Sequence, residues 1–139
     1  MGIVGQRRGN VSTRTRTTAG DGVTNHEHHS AVTEPMESVV KFLVDLLGAK
    51  LTAHMVPVDV STISRWKSGK ANPPIGAERK LRGAYQVARL LLASDADHTV
   101  RAWFIGMNPQ LDDESPADVI AEGNVKAVMA AARSFAAAA

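Results

Sequence analysis

The 139-residue chain has no cysteine, and only 4% of its residues are aromatic. The first absence excludes disulfides and thiolate metal sites. The second leaves a core to be built from Leu, Val and Ala, which suits packed helices better than sheets. No apolar run is long enough to span a bilayer, and no charged-then-apolar leader opens the chain, so a cytoplasmic protein with no membrane contact is expected. Also missing are a glycine-rich phosphate cradle, HExxH, GxSxG and a carboxylate pair at a useful spacing. Gly2, Gly5 and Gly9 follow no strand. An enzyme is therefore disfavoured, no cofactor is expected, and loss of turnover on mutating His54 or His98 would reopen the question.

What is present is an uneven distribution of charge behind a formal net charge of +2. Residues 36–90 carry nine Lys or Arg against four acids, whereas residues 91–139 carry three against seven. The middle of the chain is suited to a polyanion and the last third is not, so the two parts are expected to meet different partners.

Within the basic part, LTAHMVPVDVSTISRWKSGK (51–70) reads as a helix-turn-helix. Ala53 is small enough for two helices to cross closely. Val56, Val58, Ile63 and Trp66 are the positions such a crossing buries, and Ile63 and Trp66 share a face. Asp59 is the expected N-cap and Gly69 the expected stop. An ordinary helical hairpin with a polar face would show the same spacing; the basic surroundings favour DNA. On that reading Ser61, Thr62 and Arg65 face base edges, while Ser64, Lys67, Lys70 and Arg79 hold the backbone. His54 is expected on the surface or facing a phosphate, because no partner acid or nucleophile has a readable spacing. Pro57 stands where such turns often carry glycine, and proline cannot take a positive φ, so the turn must differ locally.

Residues 1–34 are rich in Gly, Thr, Ser and Arg and are expected to be a disordered arm. Arg7, Arg8, Arg14 and Arg16 either reach DNA or are simply solvated. His26, His28 and His29 form a cluster, but with no ordered scaffold a metal site is not expected.

Order is expected from about residue 35. The spacing of Met36, Val39, Val40, Leu43, Leu46 and Leu47 predicts a helix over 36–47, ended by Gly48. After the Asn72-Pro73-Pro74 loop, a long helix is predicted from residue 76 or 77 to 93. Leu81, Ala84, Tyr85, Ala88, Leu91 and Leu92 form its buried stripe, with Arg79, Arg82, Gln86 and Arg89 roughly opposite. A helix over 98–104 follows, then a loop over 106–113. The acids Asp112, Asp113 and Glu114 are a solvated run rather than a metal site. Ser115 and Pro116 open a short helix to residue 122, Gly123 breaks it, and Val125, Val128, Met129 and Ala132 mark the last helix. The chain divides as 1–34, a DNA-binding domain over 35–93 and a helical module over 94–139, all-α throughout.

With these residues in view, WFIGMNPQLDDESPADVIAEG (103–123) resembles the C-terminal toxin-binding domain of the Xre–MbcA–ParS antitoxins. The shared features are the Trp, Asn-Pro, a Leu, Pro-x-Asp-hydrophobic and a Gly before a last helix. SRWKSG (64–69) and the helix over 84–92 also resemble that family's Xre-type half. The resemblance spans residues 36–135. It implies a dimeric, DNA-binding repressor of its own operon, with a RES-fold, NAD-degrading toxin as partner. It also implies that the C-terminal end, Phe135, Ala138 and Ala139 included, enters the toxin. Family members tend to end on a glycine and an aromatic or apolar residue, and this chain ends on Phe135 and four alanines. A frayed helical end, a plug and a degradation tag are the three readings of that tail. A stand-alone phage or prophage repressor without a toxin is the competing function.

Overall fold

The computed structural model describes residues 34–138, which are all-α: seven α-helices and one 3₁₀ turn. The expected arm with Arg7, Arg8, Arg14 and Arg16, the His26, His28 and His29 cluster, and Ala139 of the tail lie outside the described residues. No described helix is long and apolar enough to cross a membrane.

Helix α1 is Met36–Leu47, and its predicted apolar stripe is buried from Val39 to Leu47. Gly48 then takes φ 93°, a conformation that suits glycine, and α2, Ala49–Met55, starts at once in a new direction. The turn into α3, Val60–Lys67, uses no positive φ. Instead the Val56 and Val58 amides both donate to the Ala53 carbonyl, at 3.3 and 3.1 Å. That is how the turn accommodates Pro57. Ala53, Val56, Ile63 and Trp66 are buried as expected, and Val58 is partly buried. Gly69, at φ 80°, closes α3. The Lys70 amide reaches back to the Arg65 carbonyl and the Gly69 amide to that of Trp66, a Schellman pair that satisfies the helix end. Helices α1, α2 and α3 pack on one another as a three-helix unit.

Beyond Pro73-Pro74 runs α4, Ile75–Leu92, starting one or two residues earlier and ending one residue earlier than the spacing suggested. Its buried stripe includes Leu81, Ala84, Tyr85, Ala88 and Leu91, together with Val87. Arg89 donates to the Tyr85 hydroxyl at 2.9 Å and lies over its ring, while Phe42 meets the same ring edge-on. Helix α5 is Asp97–Ile105. The predicted loop after it contains a 3₁₀ turn, Pro109–Leu111, started by Asn108, whose side chain accepts from the Gln110 amide. Helix α6 is Pro116–Ala121, with the Ser115 hydroxyl capping the Asp118 amide as read from the sequence. Helix α7 is Val125–Ala138, capped by Asn124.

Helix α7 lies along α4 in the most extensive helix–helix contact of the fold. Gly83 makes this possible, because a Cβ there would run into the Val125 side chain. Helix α6 packs against α2, and α5 touches α1. Two long cations fasten these seams. Arg101 donates to the Leu46 carbonyl at 2.9 Å and Lys80 to the Ala121 carbonyl at 2.8 Å. One hydrophobic core runs from Val39 through Leu81 and Phe104 to Ala132.

Candidate nucleic-acid interface

Helix α3 is the element whose outward chemistry can be read. Ile63 and Trp66 turn inward, at 1% and 5% exposure. By helical geometry Ser61, Ser68, Arg65 and Ser64 then face outward, with Val60 on the flank beside Ile63. All five are exposed. Thr62 is only partly exposed and sits towards the buried side.

Asp59 organises the start of this face. Its Oδ1 accepts from the Thr62 amide at 3.1 Å, from the Thr62 hydroxyl at 2.8 Å and from the Ser61 hydroxyl at 3.0 Å. Those bonds, led by the Thr62 hydroxyl, hold the Asp59 carboxyl below the usual carboxylate range. They also fix the polarity of both hydroxyls. Each has given its hydrogen to a carboxylate and presents lone pairs to anything else.

Exposed cations stand on α3 and just after it, Arg65, Lys67 and Lys70, and Arg79 is exposed in the early part of α4. Ser64 and Lys67 border a shallow groove of about 180 Å³, lined also by Val44, Ala49, Val60 and Ile63. A short polar helix flanked by cations, with a firm capped start, can offer base-edge contacts from its face and phosphate contacts from its rim.

His54 has a partner that the sequence did not disclose. Its Nε2 lies 2.5 Å from Asp118 Oδ1, joining α2 to α6 across 64 positions. The bond from His54, with a further one from Ser115, holds the Asp118 carboxyl below its ordinary range. No local spacing could reveal an acid 64 positions away, and His54 is on the surface as read. Beyond it the acids crowd. The Glu114 carboxyl is pushed up, chiefly by its hydrogen bond to Glu122 and by that neighbour's charge.

Among the last helices, Trp103 meets Phe104 edge-on, with ring centres 5.5 Å apart, and tilts against Phe135 at 6.2 Å. Phe135 is 38% exposed, and Ile105 and Met107 are exposed as well. Ala138 is exposed. Among the described residues no cluster of His, Asp or Glu is arranged to hold a metal ion.

Seven helices with a helix-turn-helix near the start and a short helical module wrapped back onto it define a small all-α fold. That fold recurs in a chain of the crystal structure of the M. tuberculosis MbcT–MbcA toxin–antitoxin complex. The two share a TM-score of 0.64 and 22% identity, over 73% of this chain and 94% of that one. No protein-family model and no curated protein matches the sequence.

Proposed function

We propose that this chain is an antitoxin that represses transcription of its own operon. The observation that carries the reading is the shared fold, which covers nearly the whole of the chain from the MbcT–MbcA complex. In this reading residues 35–93 bind DNA, with α3 in the major groove. Ser61 and Arg65 form the base-reading set, with Thr62 at its edge because it sits towards the buried side, and Ser64, Lys67, Lys70 and Arg79 hold phosphates. Residues 94–139 engage a toxin, and the RES-type, NAD-degrading class is the one the sequence resemblance implies. The exposed Phe135, Ile105 and Met107 give that module an apolar surface for a protein partner. A homodimer on an inverted repeat completes the picture, because one such unit reads only a few base pairs.

The test is co-expression with the RES-fold protein encoded beside this gene in its native host. The partner should co-purify, cellular NAD should be preserved, and a footprint should fall on the operon's own promoter. A footprint without any captured partner would remove the antitoxin half of the reading and leave a stand-alone repressor. Capture of the toxin without a footprint would remove the repressor half.

A further inference from the structure

Val60 is the first residue of α3 and is 43% exposed. Ile63 and Trp66 fill the buried seam of the helix, and Val60 lies at its edge. It lines the groove formed with Val44, Ala49, Ile63, Ser64 and Lys67, one residue before the outward-facing Ser61. Lys67 lines the same groove, and exposed Arg65 and Lys70 follow further along the helix and past its end, positive charge that suits the phosphates of a duplex.

We infer, resting on the DNA-binding reading above, that Val60 reads the C5-methyl group of a thymine. In the major groove that methyl is the one apolar feature any base pair presents. Ser61 narrows the choice further. Its hydrogen is committed to Asp59, so it can only accept, and the only major-groove donors are the amino groups of adenine and cytosine. A T·A pair is the single pair that offers a methyl and an amino donor together. The first turn of α3 is thus matched to one T·A pair in each half-site.

The experiment begins with an operator enriched from random duplexes by the full-length wild-type protein. Each thymine is then replaced in turn by deoxyuridine, which removes the methyl and nothing else. One position per half-site should weaken wild-type binding by about fourfold, the loss expected for one methyl group. At that position Val60→Ala should bind the thymine and deoxyuridine duplexes equally. Wild-type binding that is indifferent to deoxyuridine at every position would overturn the inference, whatever the variant does. So would a Val60→Ala protein that keeps the wild-type preference for thymine. If the wild type enriches no sequence and binds no duplex, the repressor reading itself fails and takes this inference with it.

Discussion

A carboxylate that accepts three hydrogen bonds at the head of a helix does more than cap it. Asp59 ties down one amide and two hydroxyls, so it sets both the start of α3 and the polarity of the groups beside it. Asp59→Ala should lower the urea midpoint of unfolding with an unchanged slope, and Asp59→Asn should lower it less, because an amide oxygen still caps. The pH dependence follows from the depressed carboxyl. Its contribution is complete above the ordinary value of 3.8 and is lost as pH falls through the lower folded value, so wild type and Asp59→Ala should converge in acid. Equal gaps at neutral and acid pH would count against this. The cap was legible from one aspartate placed before an apolar-periodic run. The His54–Asp118 contact was not, because no local period connects residues that meet only when α6 folds onto α2. Val60 was not legible: it stands three residues before Ile63, at the edge of the buried face, and only the structure shows it exposed.

At the scale of elements, helix spacing carries most of the information. The helix over 36–47 and the Ser115–Pro116 start appear where periodicity and capping chemistry place them. The 3₁₀ turn at Pro109–Leu111 was read as loop because three residues are too few to show a period. Gly83 also gave no sign of its task, since a glycine inside a helical pattern looks merely unfavourable. Its cost is offset by the approach of α7. Two substitutions separate these effects. Gly76→Ala meets open space, so it should gain up to about 1 kcal/mol from helix propensity. Gly83→Ala gains the same propensity but drives a methyl into Val125, a crowding that costs roughly 1–3 kcal/mol, so it should be destabilised overall. Calorimetry showing equal gains would refute the close approach. Near α6 the acids conflict in a testable way. A carboxyl with a raised folded value stabilises only below its ordinary range and loses that contribution as pH rises through the folded value, so Glu114→Gln should raise the melting temperature near pH 7 but not near pH 4.

For the whole molecule, charge is divided and the core is not. The basic middle and the acidic end differ in what they attract, yet their apolar side chains form one cluster. On DNA the division should show in two variants. Arg65→Ala should cost roughly 1–3 kcal/mol on the operator and relax one base preference, whereas Lys67→Ala should weaken all sequences alike and lower the salt slope by about one unit. Equal losses on operator and random duplex for Arg65→Ala would take it out of the base-reading set. The undivided core predicts something different for a shortened chain. One that stops at Glu122 leaves the α4 face around Gly83 without its cover, so circular dichroism should show a cooperative collapse of helix content rather than an intact helix-turn-helix. The same seam bears on how such a protein is cleared from a cell. A protease that seizes the tail and draws α7 away removes the lining of α4, and with it the support of every helix stacked behind. No stump would stay on its operator after the rest had gone. Both tasks would run on a single clock, and the lifetime of one would be the lifetime of the other.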